Sequence, residues 1–243
     1  MAVMRWTRSL DESFTILGFR FPVAVGVIAS VVLLASTVGA TVQRNGFPAL
    51  AFAVLVPGLL WSGQIWRLAT WSFFELNGLS LIFSLLMLAF FGRDLCDSWG
   101  GKRFLGFWMG ATVATGAVLC LVGVTVWPAV LQWPYLTAWP VVEALTIAWA
   151  LTFPARVILF NFVLPVSGTR LIYVTLIATF IYALLNGFIF FLPHFLAMGL
   201  TWVYVRGGSP SYWWLRLKAA WFVRRYSRHL RAVKRNEPPT WYH

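Results

Sequence analysis

Residues 21–42 contain no charged side chain over 22 consecutive positions. A helix of about 20 apolar residues crosses the hydrocarbon core of a bilayer, so this run predicts a membrane-spanning helix from about Phe21 to Val42. The same pattern recurs along the chain, which constrains the fold more than any single motif. The chain therefore folds with lipid, rather than water, as the solvent of most of its surface.

The composition agrees with this interpretation. Only 11% of the 243 residues are charged and 60% are hydrophobic, whereas a soluble domain keeps about a quarter of its residues charged. There are 15 Trp residues, and many lie near the ends of apolar runs, where an interfacial aromatic belt places them. These observations predict an all-α polytopic membrane protein.

Five further apolar segments are predicted helices. Predicted helices 2 to 6 cover about Leu79–Phe91, Phe104–Val126, Pro140–Phe153, Leu171–Leu185 and His194–Val205. Helix 4 is short for a span, and a short helix is tolerated when other helices bury it. Residues 44–65 are apolar but broken by Pro48 and Pro57, which predicts a loop embedded in the interface. A small interfacial helix is expected to open at Asp11 and Glu12.

The basic residues predict the orientation. With six spans and both termini in the cytoplasm, 17 of the 19 Lys and Arg residues lie inside, because only Arg44 and Arg67 fall outside (19 − 2 = 17). Cytoplasmic segments accumulate Lys and Arg, and five or seven spans would place charged loops on the wrong side. The predicted domains are a cytoplasmic lead at 1–20, a membrane domain at 21–206 and a basic tail at 207–243.

Two segments predict packing or docking surfaces. Gly106, Gly110 and Ala114 lie four residues apart in helix 3, a spacing that lets helices approach closely, with dimerisation as the weaker alternative. The tail predicts an amphipathic helix that binds anionic lipid of the cytoplasmic leaflet or a cytoplasmic protein partner. Its aromatic and basic side chains are less suited to nucleic acid and include Trp213, Trp214, Trp221, Arg224, Arg225 and Arg228.

Several motifs occur in an order that resembles the rhomboid superfamily. Trp66 and Arg67 stand in the first loop, followed by Thr70; Gly92-Arg93-Asp94-Leu95 ends helix 2; and His194 opens helix 6 ahead of Ala197 and Gly199. The resemblance covers about residues 21–206. It implies a six-transmembrane-helix rhomboid-like bundle with an embedded first loop.

The catalytic positions differ from those of active rhomboids. That family uses a G-x-S-G serine at the start of helix 4, the histidine of helix 6, and a His-x-x-x-Asn pair on helix 2. Aligning this chain on the shared motifs puts Ser80 and Ser84 at the His and Asn positions and Glu143 at the nucleophile position. Loss of the serine costs on the order of 10⁶ in rate. The resemblance therefore implies a pseudoprotease.

The residues at these positions have alternative interpretations. One interpretation is that Glu143 forms a hydrogen-bonded pair with His194. The equally weighted alternative is a carboxylate that the helix N-terminus stabilises and that water reaches from outside. The alternative for His194 is an interfacial residue that caps helix 6. Arg67 is expected to bond loop carbonyls, whereas Glu75 is expected to be solvated. Cys96 and Cys120 are predicted to be free thiols.

Three functional hypotheses follow. The first is a protein that binds transmembrane segments of clients or serves as a subunit or scaffold of a membrane complex. The second is an intramembrane serine protease with a displaced nucleophile, Ser80 or Ser84. The third, a transporter or channel, is disfavoured because the spans carry no paired charges apart from Glu143. No cofactor is expected, and no metal, since two ligands are too few. A bacterial inner membrane is the expected location.

Overall fold

The structure is a computed structural model, and it describes residues 12–16, 19–45, 50–160, 164–207, 218–219 and 221. The chain divides into two compact units, Met1–Trp202 and Val203–His243. Most of the first unit is helical. In the second unit the described part comprises the end of the last long helix and the helical residues 218, 219 and 221.

The described residues form eight α-helices, two of them only one turn long, and short elements connect them. In chain order the helices are α1 (Val23–Arg44), α2 (Leu50–Ala53), α3 (Arg67–Thr70), α4 (Gly78–Trp99), α5 (Gly101–Thr125), α6 (Trp139–Thr152), α7 (Gly168–Asn186) and α8 (Phe188–Arg206). Short 3₁₀ helices cover Pro57–Ser62, Trp71–Phe73 and Pro128–Gln132. Five helices, α1, α4, α5, α7 and α8, are long and apolar enough to cross a membrane, and α6 is a shorter apolar helix. The predicted polytopic helical architecture is confirmed at this level.

Consecutive long helices run in opposite directions. Gly92, near the end of α4, lies against Val25 at the start of α1 and Phe104 at the start of α5. The bundle therefore has two ends. We call the end at which α4 and α6 begin, next to residues 50–77, the loop end, and the opposite end the hairpin end.

The short helix α6 is the centre of the bundle. Ten of its 14 residues are buried, in an almost continuous run from Pro140 to Ala150. A helix that is apolar on all sides requires neighbours on all sides, and α4 and α7 pack extensively against it. At about 1.5 Å per residue α6 is only ~21 Å long. Its burial explains how so short a helix is accommodated.

Two antiparallel hairpins lie at the hairpin end. Strand β1 (Ser13–Ile16) pairs with β2 (Phe19–Pro22), and β3 (Val157–Phe160) pairs with β4 (Leu164–Ser167). The expectation of a helix opening at Asp11 and Glu12 is wrong, because the strand begins at Ser13 and its aromatic and β-branched residues favour extended backbone. The backbone N–H of Val23 donates to the Glu12 carbonyl at 2.9 Å, which joins the hairpin to α1.

Helix 2 was predicted to end before Gly92, and this prediction is wrong. In the structure α4 continues to Trp99, so Gly92 and Arg93 lie within the helix. A Cβ on Gly92 would lie 3.0 Å from the Phe104 ring and 3.2 Å from the Val25 side chain. This glycine permits close packing of three helices rather than a turn, and Gly100, with φ of 83°, ends the helix instead.

Helix 6 was predicted to begin at His194, but α8 begins at Phe188. Pro193 lies inside α8, where its missing N–H leaves the carbonyl of Ile189 without its helical donor. The Tyr135 hydroxyl donates to that carbonyl at 3.0 Å. This external donor satisfies the carbonyl that the proline leaves free, and His194 is thereby an interior residue of the helix.

Gly106, Gly110 and Ala114 were predicted to let helix 3 pack closely against other helices, and for contacts within the chain this prediction is also wrong. A Cβ added to Gly106 or Gly110 would meet no described atom within 4 Å. The close contacts of α5 involve Gly116 and Gly123, whose added Cβ atoms would lie 2.8 Å from Leu68 and 2.7 Å from Leu131. Glycine-mediated close packing of α5 thus lies near the loop end, whereas Gly106 and Gly110 are exposed.

Candidate functional site

The first loop ends in a set of side chains that bind four consecutive backbone carbonyls. Trp66 Nε1 donates to the Phe52 carbonyl at 3.1 Å, and Thr70 Oγ1 donates to that of Ala53 at 3.1 Å. The Arg67 guanidinium donates to the carbonyls of Ala51, at 2.5 Å, and Val54. Three of these acceptors, at residues 51–53, are C-terminal carbonyls of the one-turn helix α2, and Val54 directly follows it.

Burial explains why the loop needs these donors. Arg67 is only 5% exposed, and its Nε also donates to Gln64 Oε1 at 2.7 Å. Backbone carbonyls that face lipid rather than water must find donors within the protein. The loop carbonyls are the partners that the sequence analysis expects for Arg67. Leu55 and Tyr135 exchange backbone hydrogen bonds of 2.9 Å, which fasten the loop to the segment before α6.

Glu143 and His194 lie together at the loop end of the bundle. Glu143 is in the second turn of α6 and His194 in the second turn of α8. His194 Nδ1 lies 3.0 Å from Glu143 Oε2, and the Thr179 hydroxyl donates to Glu143 Oε1 at 3.1 Å. The two side chains are only 9% and 15% exposed. Three helices, α6, α7 and α8, therefore meet at one carboxylate.

A cavity of about 550 Å³ adjoins this pair. Its walls come mainly from α4, α6, α7 and α8, and its polar lining includes Ser80, Glu143, Thr179 and His194. The remaining lining is largely apolar. A cavity of this size with few polar groups at one place has the character of a small-molecule site.

The two serines at the degenerate positions differ in their surroundings. Ser84 is buried and its hydroxyl donates to the Ser80 carbonyl at 2.8 Å. Ser80 lines the cavity beside His194. Ser167, in contrast, precedes the first residue of α7, 12 residues before Thr179, and this spacing corresponds to about 18 Å along a helix. Only Ser80 shares the cavity with the histidine.

Glu75 is a polar residue near the site, and the prediction that it is solvated is wrong. It was expected to be solvated, but it is 8% exposed and accepts a hydrogen bond from the Thr137 hydroxyl at 2.8 Å. Its own backbone N–H donates to the buried Ser36 hydroxyl at 2.8 Å. Burial raises the pKa of the Glu75 carboxyl, and the Thr137 hydrogen bond and the charge of His194 partly offset this rise.

A pH dependence of stability follows from Glu75. Because its pKa is raised in the folded state, the contribution of Glu75 to the free energy of unfolding is largest below the ordinary pKa of a glutamate and is lost as pH rises through the folded value. We expect Glu75→Gln to remove this component, so its melting temperature falls less than that of the natural protein over this range. Thermal unfolding in detergent at pH of about 4 to 8 measures it.

The matched control for this prediction is Glu12→Gln, since Glu12 is an exposed glutamate. It should leave the pH profile unchanged. An equal pH slope for Glu75→Gln and the natural chain would contradict the assignment.

The polar residues of the site offer little for metal binding. Glu143 and His194 supply two ligand atoms, and no group of three His, Cys, Asp or Glu side chains suited to a metal lies within the described ranges. A protein zinc site uses at least three protein ligands. The arrangement suits hydrogen bonding and proton exchange instead.

A family model described as "Eukaryotic integral membrane protein (DUF1751)" matches residues 25–216. The chain belongs to this family. The match begins within α1 and extends past the end of α8, so it includes the first loop and the Glu143–His194 pair. No curated protein matches the chain.

Membership in the DUF1751 family bears on location. The chain is an integral membrane protein with several apolar helices. The family description names eukaryotic proteins, which speaks for a eukaryotic membrane and against the bacterial inner membrane expected from the sequence.

Other predicted residues of this DUF1751 member lie elsewhere. Asp94, next to Gly92 and Arg93, accepts hydrogen bonds from Trp149 Nε1 at 2.8 Å and Arg156 at 2.6 Å, so the end of α4 is tied to the end of α6. Cys96 and Cys120 are both buried. In the tail, Trp221 is helical and 53% exposed. The other predicted docking residues, Trp213, Trp214, Arg224, Arg225 and Arg228, lie outside the described residues.

Proposed function

We propose that the chain is a rhomboid-like membrane protein without protease activity that binds transmembrane segments of client proteins, as a free receptor or as a subunit of a membrane complex. The observation that carries the proposal is the Glu143–His194 contact of 3.0 Å. It stands where the rhomboid resemblance places a catalytic serine and its histidine.

The arrangement of elements supports the rhomboid-like part. A first span is followed by an embedded loop closed by Trp66, Arg67 and Thr70, then by α4 with Gly92 and Arg93 near its end. The short central helix α6 carries Glu143 and the last span carries His194. We propose that α6 completes a six-span bundle with both termini in the cytoplasm, as the distribution of Lys and Arg requires.

The surroundings of the cavity support client binding. Helix α7 packs mainly on α6 and β4, and the cavity separates it from α4. Apolar side chains on both helices, such as Phe90 at 72% and Ile177 at 58%, are exposed. An exposed apolar flank beside a gap between two spans is suited to a transmembrane helix of another protein, which packs there by van der Waals contact.

Photocrosslinking tests client binding. A photoreactive amino acid placed at Met87 or Val174, which line the cavity on α4 and α7, should capture proteins whose crosslinked peptides map to transmembrane segments. Leu34 on α1 is 63% exposed and provides the control position. Equal capture at Leu34 would overturn the proposed binding face.

A serine hydrolase is the second candidate function, and one observation favours it. A carboxylate on His Nδ1 is also the arrangement of the acid–histidine half of a catalytic triad, and Ser80 lines the same cavity. We nevertheless expect no activity, because active rhomboids take their nucleophile from the helix equivalent to α6, where the resemblance places Glu143.

Purified protein should therefore resist labelling by a serine-directed fluorophosphonate and leave a panel of helical substrates uncut. An active rhomboid serves as the positive control. Labelling that disappears in Ser80→Ala but persists in Ser84→Ala would establish the hydrolase and overturn the pseudoprotease proposal.

A further inference from the structure

The cavity has a polar end and an apolar end. On α4 its lining runs from Ser80 through Met87 to Phe91, and on α7 from Tyr182 back to Leu171. The ends of each stretch are 11 positions apart, which corresponds to about 16 Å of helix. The cavity therefore extends over about half of a ~30 Å hydrocarbon core.

Hydrogen-bonding capacity remains at the polar end. Both oxygens of Glu143 are engaged, one by Thr179 and one by His194 Nδ1. Among the described residues, no partner is present for the Ser80 hydroxyl or for Nε2 of His194. Ser80 and His194 both line the cavity, and a hydroxyl and a ring nitrogen together suit a ligand that both donates and accepts hydrogen bonds.

The charge of the lining restricts the ligand further. No Lys or Arg lines the cavity, and Glu143 contributes a carboxylate. A phosphate or carboxylate head group would meet no Lys or Arg there, and His194, when protonated, is already paired with the Glu143 carboxylate. The head group that suits this end is uncharged.

The rest of the cavity suits a hydrocarbon chain. Phe91, Ile158 and Leu171 line the far end. Thr146 and Thr175 also line the walls, but their hydroxyls donate to the carbonyls of Val142 and Leu171 in their own helices, at 3.0 and 2.9 Å. They offer the cavity little further hydrogen bonding.

We propose that this cavity binds a single-chain amphiphile with an uncharged, hydroxyl-bearing head group, of the monoacylglycerol type. The head group hydroxyl bonds Ser80 and His194, and the chain extends along α4 and α7 towards Leu171. The inference does not depend on client binding, because the amphiphile occupies the interior of the cavity whether or not a helix docks outside it.

Photoaffinity labelling of the full-length protein in lipid nanodiscs tests the inference. The probes are a photoreactive, alkyne-bearing monoacylglycerol, and a fatty acid and a lysophosphatidate with the same chain. We expect the monoacylglycerol to label peptides of α4 and α7 about tenfold more than either anion, which corresponds to ~1.4 kcal/mol of discrimination. Equal labelling by all three probes would mean that they react from the surrounding bilayer as ordinary lipids, and this result would overturn the proposal.

Two variants separate the head group site from the chain site. Ser80→Ala should reduce monoacylglycerol labelling to the level of the fatty acid. Thr175→Trp should lower labelling by monoacylglycerol at least about fivefold by filling the cavity, whereas Leu121→Trp, on an exposed position of α5, should not. Unchanged labelling in both Ser80→Ala and Thr175→Trp, with melting temperatures like that of the natural protein, would overturn the proposal. Client crosslinking at Met87 is scored separately and does not depend on the outcome.

Discussion

Arg67→Met is expected to lower the free energy of unfolding by roughly 3–5 kcal/mol, because each buried acceptor left without a donor costs about 1–3 kcal/mol. The guanidinium bonds the carbonyls of Ala51 and Val54 and the side chain of Gln64. Methionine retains the length of the stem but has no donor to offer. Chemical or thermal unfolding in detergent measures the loss.

Arg44→Met is the matched control for this variant, since Arg44 is exposed at the end of α1. It should change stability by less than about 0.5 kcal/mol. A further sign is local: proteolysis within residues 50–66 should increase for Arg67→Met, because the donors that hold the loop are lost. Equal stability of the two variants would contradict the proposed role of Arg67.

A double-mutant cycle on Glu143 and His194 should give a coupling of roughly 1–3 kcal/mol. Glu143→Leu leaves His194 without its carboxylate partner, and His194→Phe leaves Glu143 with only the Thr179 hydroxyl. Breaking a buried pair from one side costs about 3–5 kcal/mol, whereas replacing both partners by apolar residues is often close to neutral. We therefore expect the double variant to be more stable than at least one of the single variants.

Thr179→Val provides a reference value for the loss of one hydrogen bond to Glu143, with which the coupling energy can be compared. It removes one hydrogen bond to Glu143 and should cost about 1 kcal/mol. Additive effects of Glu143→Leu and His194→Phe, within about 0.5 kcal/mol, would show that the 3.0 Å contact contributes no coupling.

The helical membrane architecture was predictable because it depends on local composition. Runs such as residues 21–42 lack charge, and in lipid a helix is the structure that satisfies its own backbone. Element ends were harder to predict. Gly92 has the chemistry of a helix stop, yet its neighbours Val25 and Phe104 come from other helices, and this packing keeps α4 helical to Trp99.

The site was partly predictable. The Glu143–His194 contact was one of two alternatives, because a carboxylate in a span needs either a partner or water. Thr179, which completes the carboxylate's bonds, carried no signal, since Thr in an apolar helix is common. The prediction for Glu75 was wrong because a Glu between two apolar runs looks solvated, whereas here the Thr137 hydroxyl donates to its carboxylate and its backbone N–H donates to Ser36.

Trp66, Arg67 and Thr70 illustrate the division between sequence and tertiary structure. The sequence by itself determined that the chain spans a membrane, since hydrophobicity and charge act locally and add along the chain. It also marked this group of residues as unusual. Only the tertiary structure decided what they do, because their acceptors, the carbonyls of residues 51–54, are 13 to 17 positions away and no local pattern pairs them.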